Sequence, residues 1–122
     1  MTQVRKIIAS GVAPQSAQVI AGDFATGLTA TGNSQATGLV LPADANEFTT
    51  VASSTGCVIP AQLNIGDAVM VFNFGANALS VYPPVGESIN ALSANTAFSV
   101  ASGGRAAFWK ANNTRWAAIL SA

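Results

Sequence analysis

From residue 37 onward, Gly, Pro, Asn and Asp cut the sequence into short apolar or β-branched runs, and this punctuation constrains the fold more than any other feature. Runs of three to seven residues are too short for packed helices, and none keeps an apolar stripe at the helical period. The pattern predicts strands at Gly38–Leu41, Glu47–Ala52, Cys57–Ile59, Ala68–Phe74, Ala78–Tyr82, Ala97–Ala101, Arg105–Ala111 and Arg115–Leu120. We therefore expect an all-β chain, folded as a small antiparallel β-sandwich or a jelly-roll-like barrel of about 6–8 strands. Ala68–Phe74 carries large apolar groups on both alternating faces, as a strand covered on both sides does, so it is expected at the centre. Pro83-Pro84 cannot donate ladder hydrogen bonds and closes the strand that ends at Tyr82.

The first 36 residues differ in character, being rich in Ala, Gly, Ser, Thr and Gln, with large apolar residues only at isolated positions. They are expected to form an extended N-terminal arm, 1–36, ahead of a β-sandwich domain, 37–122. Val4–Ile8 suits a short strand or a helical turn, Ser16–Ile20 is equally open, and Gly22-Asp23-Phe24 is expected to turn the chain inward on Phe24. Ordering the backbone costs about 1–2 kcal/mol per residue, and so sparse an apolar complement does not offset it alone. The arm is accordingly expected to pack against a neighbouring subunit, most simply as a strand added to an open sheet edge. Thr-Gly pairs at 26–27, 31–32, 37–38 and 55–56 are too unevenly spaced to define a repeat.

Composition excludes several function classes. Half the residues are hydrophobic, 24 of them alanine, and five basic side chains balance five acidic ones. A net charge of zero provides no field to attract nucleic acid or an anionic membrane, so neither is expected as a partner. The absence of histidine removes the usual general base near neutral pH and the commonest zinc ligand. Cys57 is the single cysteine, so no intrachain disulfide can form, and its Gly-Cys-Val-Ile setting reads as a small buried hydrophobe. Asp23, Asp44, Glu47, Asp67 and Glu87 are scattered, with no spacing that suggests an acid pair or a calcium loop. Neither an enzyme nor a cofactor is expected. Asp44, between Pro42 and Asn46, reads as a turn cap, and Gly103-Gly104 before Arg105 as a hairpin turn. Trp109, Trp116, Tyr82 and the six phenylalanines are expected in the core. Arg5 and Lys6 precede only Ile7 and Ile8, too short an apolar run for a secretory signal. The uncharged stretch 68–86 contains Asn73, Asn77, Pro83 and Pro84 and does not suit a membrane helix, so the chain is expected to be soluble.

At the C-terminal end, Asn112-Asn113 predicts a two-residue hairpin tip, because Asn tolerates left-handed backbone. Setting Ala111 opposite Thr114 places Trp109 opposite Trp116 and Lys110 opposite Arg115. Two facing cations would favour an acidic partner surface over them. Arg5, Lys6, Lys110 and Arg115 are therefore the candidate protein-contact residues.

Between Leu63 and Trp116 lies a sequence of signals: Gly66-Asp67, an apolar strand ending at Asn73, Gly75–Ala78, the Val81–Pro84 corner, Ile89–Leu92 and Trp116. This block resembles a recurrent pattern in short structural proteins of tailed phages and prophages. The resemblance implies a virion protein of the capsid decoration or cement type that clamps neighbouring capsid subunits and has no catalytic residues. It further implies the major capsid protein and further copies of the chain as partners, as a homotrimer. The implied location is the capsid surface, after synthesis in the host bacterial cytoplasm. A charge-poor surface is consistent with this, because charged side chains are costly to strip of water in interface cores. The alternative is a tail-fibre, spike or other tail-associated module contacting host glycan or another tail protein, which would display aromatics beside carboxamides.

Overall fold

The structure, a computed structural model, describes residues 23–121. These form ten strands and no helix: β1 (Phe24–Thr29), β2 (Leu39–Val40), β3 (Ala45–Thr50), β4 (Gly56–Val58), β5 (Ala68–Asn73), β6 (Leu79–Tyr82), β7 (Ser88–Ile89), β8 (Phe98–Val100), β9 (Arg105–Lys110) and β10 (Arg115–Ser121). The chain is all-β, in two sheets. One has six strands in the order β1-β3-β5-β9-β10-β7, the other four in the order β2-β4-β6-β8.

Successive strands from β1 to β8 alternate between the two sheets, so the first half of the domain winds in coils, each giving one strand to each sheet. Neighbouring coils run in the same direction, which makes β1–β3, β3–β5, β2–β4 and β4–β6 parallel. Parallel strands ordinarily need a long crossover, and here the intervening strand of the opposite sheet supplies it. Beyond the Pro83-Pro84 corner the chain turns back on this coil. β8 adds antiparallel to β6, β9 antiparallel to β5, β10 antiparallel to β9, and β7 lies parallel to β10 at the far edge.

This solenoid-like winding corrects the expected antiparallel sandwich or jelly roll. All eight expected segments overlap observed strands, and β5 is an interior strand of the larger sheet, but most of the pairing is parallel. Turn residues dictate that the chain turns, without specifying where the next strand pairs. Gly103-Gly104 illustrates the difference: it links β8 of one sheet to β9 of the other, so it makes a turn between sheets and not a hairpin. The boundary expected at 36/37 is likewise crossed. β1 pairs with β3, Tyr82 donates its hydroxyl to the Asn33 carbonyl at 2.7 Å, and Gln35 Nε2 donates to the Pro83 carbonyl at 2.8 Å. Residues 23–35 therefore pack within their own chain, while the rest of the expected arm, with Arg5 and Lys6, lies outside the described residues.

One continuous core lies between the sheets. Phe48, Val69, Val71, Phe108 and Trp116 enter it from the larger sheet, and Cys57, Leu79, Val81 and Val100 from the smaller. Phe98 and Phe108 meet edge to face across the sheets with ring centroids 5.4 Å apart. Full burial of each such side chain stabilises the fold by about 1.5–3 kcal/mol. Two carboxamides are buried with them and fully engaged. Asn73 Nδ2 donates to the carbonyls of Asn77 and Val100, both at 2.9 Å, while its Oδ1 accepts from the Gly75 amide at 3.0 Å. Asn46 Nδ2 donates to the carbonyls of Ala43 and Met70 at 2.8 and 3.2 Å, and its Oδ1 accepts the Ala43 amide at 3.1 Å. Asn73 thus ties the end of β5 to β8 of the opposite sheet, and Asn46 ties one coil to the next.

Candidate functional site

Strand alternation gives the larger sheet a second, outward face. On β5 the inward residues Val69, Val71 and Asn73 are buried, whereas Ala68, Met70 and Phe72 on the other side remain partly exposed. Pairing extends this outward side into rows. Met70 lies between Ala45 on β3 and Ala107 on β9, with Ile119 beyond on β10. Phe72 lies between Glu47 and Arg105, and Ala68 beside Trp109, whose other neighbour is Ala117. Phe24 closes one margin by stacking on Phe72, ring centroids 5.8 Å apart. Phe24, Trp109 and Ile119 are 54 %, 40 % and 63 % exposed. Small alanines beside Met70 and Trp109 leave a shallow groove of about 180 Å³ lined by Met70, Arg105, Ala107, Trp109 and Ile119. Large contiguous apolar surfaces are where proteins meet partners, which makes this face the candidate site.

Its position explains two departures from expectation. Phe24 and Phe74 are exposed instead of entering the core, and of the two tryptophans only Trp116 is buried. The C-terminal hairpin accounts for the difference between them. Trp116 pairs with Lys110 and Ala117 with Trp109, one position away from the expected register, so the tryptophans occupy opposite faces. Asn112 is the cause: its Oδ1 accepts the Thr114 amide at 2.9 Å, an Asx-type turn that uses three loop residues instead of two. Ala111 then donates to the Arg115 carbonyl at 3.0 Å.

The same register separates the expected cation pair. Lys110 lies opposite Trp116 and reaches back to donate Nζ to the Leu63 carbonyl at 2.9 Å, which fixes a loop. Arg115 is exposed at the start of β10, beside Ser88 of β7.

Four of the carboxylates are committed to the fold. Asp23 and Asp44 exchange contacts, each accepting the other's backbone amide, at 2.9 and 3.2 Å; Asp44 therefore ties two coils together in addition to lying in a turn. Asp67 Oδ2 accepts the Asn64 amide at 2.8 Å, and Glu87 Oε1 accepts Trp116 Nε1–H at 2.9 Å. Glu47 remains on the outward face. Cys57 is fully buried, and loss of solvent pushes its thiol pKa far above the ordinary range, so it serves as an apolar packing group. Among the described residues, no group of three His, Cys, Asp or Glu side chains is placed to hold a metal ion. A second hollow, about 490 Å³, opens beside Asn90, Leu92 and Phe98, but the Asn90 amide group is already bonded in both directions to the Ala118 backbone.

No family model, curated protein or solved structure matches the chain. The candidate site therefore rests on its own geometry: a largely apolar sheet face bearing Glu47, Arg105 and Arg115, suited to holding another surface.

Proposed function

We propose that this protein is a virion structural protein that acts by association, decorating an assembled phage capsid as a homotrimer and clamping neighbouring capsid subunits. The observation that carries the reading is the apolar outward face of the larger sheet, left without cover by the described residues, on a domain whose carboxylates, apart from Glu47, hold its own loops. The resemblance of Leu63–Trp116 to short phage structural proteins supplies the capsid context. The mechanism is linkage: a protein that binds the assembled shell better than its separated subunits stabilises the shell by that difference. Three linked copies engaging at once raise apparent affinity by about 10²–10⁴ without a new type of contact. The test is to prepare capsids without this protein, add it back purified, and compare bound copies and the temperature at which DNA escapes. Saturable binding with a higher escape temperature is expected, and absence of binding overturns the reading.

Exposure of Trp109 favours a second reading, a tail-associated module that stacks a host sugar on this indole. Its cross-strand neighbours are Ala68 and Ala117 and not the carboxamides such a site uses to read hydroxyls. Location on the tail together with saturable sugar quenching of Trp109 fluorescence would establish this reading in place of the first.

A further inference from the structure

The sequence of β5 demands cover on both faces, and the described residues provide it on one. Val69 and Val71 are 2 % and 0 % exposed, while Met70 and Phe72 on the other side have no layer of described residues over them. Arg115 lies on this outward face at the start of β10, two residues before Ala117, while Glu47 on β3 and Arg105 on β9 share a single row, with Phe72 between them. At the usual spacing of about 4.8 Å between strands they stand about 10 Å apart, too far to pair with each other. Among the described residues neither makes a side-chain hydrogen bond or ion pair, unlike Lys110 and the other four carboxylates.

We propose that this face is where copies of the chain meet, each copy setting Arg105 against Glu47 of the next while Phe72, Met70 and Trp109 are buried beneath. A second copy fits because the row through Phe72 is its own complement: it carries one charge of each sign, on opposite sides of an apolar ridge, with Arg115 set apart from it at the start of β10. A ring in which one side of the face meets the opposite side of its neighbour satisfies both charges at every junction. The inference deepens the proposed homo-oligomer and takes from that reading only the number three.

Sedimentation equilibrium of the full chain tests it without any capsid, together with Arg105→Glu, Glu47→Arg and the double exchange. We expect an oligomer whose dissociation constant rises about tenfold in each single variant and returns to within about threefold of the original in the double exchange. Unchanged circular-dichroism melts at monomeric concentrations confirm that the variants fold. Acrylamide quenching supplies the second readout, since Trp116 is buried and only Trp109 is accessible. Trp109 should be quenched in dilute protein and protected as copies associate. A monomer at all concentrations overturns the inference, whether Trp109 is open or is shielded by another part of its own chain. So does an oligomer indifferent to both charges. A dimer that obeys the charge exchange upholds the face and removes the trimer from the proposed function. An oligomer of the expected kind that ignores capsids upholds the face while the capsid reading fails.

Discussion

Replacing Asn73 with alanine should be among the most damaging single changes to this fold, because one side chain satisfies three backbone groups where β5 meets the opposite sheet. Asn77 and Val100 lose the donor to their carbonyls, and the Gly75 amide loses its acceptor. Each intramolecular hydrogen bond contributes about 1 kcal/mol net, and a buried orphan costs more, so the loss should be at least about 3 kcal/mol. For a chain of this length, about 4 °C per kcal/mol gives a fall in Tm of roughly 12 °C. Asn73→Asp separates hydrogen bonding from size. Its carboxylate keeps the acceptor for Gly75 but turns negative oxygen toward two carbonyls, which favours the neutral acid and raises its folded pKa above the unfolded value of about 3.9. The native state then holds its proton at pH values where the unfolded chain has released it. The variant's stability relative to wild type should therefore be greatest below about pH 4 and fall as pH rises through the folded pKa. Thermal denaturation followed by circular dichroism at pH 7 and pH 4 measures both effects. A loss below about 1 kcal/mol for Asn73→Ala, or a deficit in Asn73→Asp that grows on acidification, would refute the assignment of Asn73 as the tie between sheets.

Two further outcomes follow from buried positions. Burial holds the Cys57 thiol protonated in the native state, whereas the unfolded chain releases its proton near the ordinary value of 9.0. Stability should consequently fall above pH 9 by up to about 1.4 kcal/mol per pH unit, and Cys57→Ala should show a shallower decline in parallel urea titrations. Equal slopes would contradict it. Gly75 lies so close to Val51 that an added Cβ would stand 2.5 Å from Val51 Cγ2 and 2.7 Å from its backbone nitrogen. Gly75→Ala should cost about 1–3 kcal/mol by overpacking in the same assay, and a neutral result would show that the loop yields.

Much of the fold is legible because turn chemistry and strand chemistry are local. Pro83-Pro84 does end β6, and the alternating apolar run 68–74 does become an interior strand. What is not legible follows from longer-range choices. Coils and hairpins use the same short strands and the same turns, and the spacing between coil equivalents is irregular: Phe24 pairs with Ala45 and Ala45 with Met70, 21 and 25 residues apart. No fixed period therefore appears in the sequence. β1 is masked by Gly27, which adopts a φ of +68° where the pairing register shifts. β7 has only two residues, too few to show a pattern.

The candidate site was partly visible for the same reasons. An apolar second face on 68–74 is a signal in the sequence, but a pattern cannot say whether the chain itself or a neighbour covers it. Trp109 was misplaced because the Asn112 side chain, and not the Asn-Asn pair, sets the hairpin length. A one-position shift then separates the two tryptophans and the two cations that the shorter loop would have joined. Glu47 and Arg105, far apart in sequence, enter one row only through the register of β3, β5 and β9.

The most direct measurement for the central claim is electron microscopy of purified virions labelled with gold against this protein. The account predicts label over the capsid shell, in a regular array and in multiples of three, on particles that lose it when the protein is omitted. Label confined to the tail, or absent from assembled particles, would contradict it.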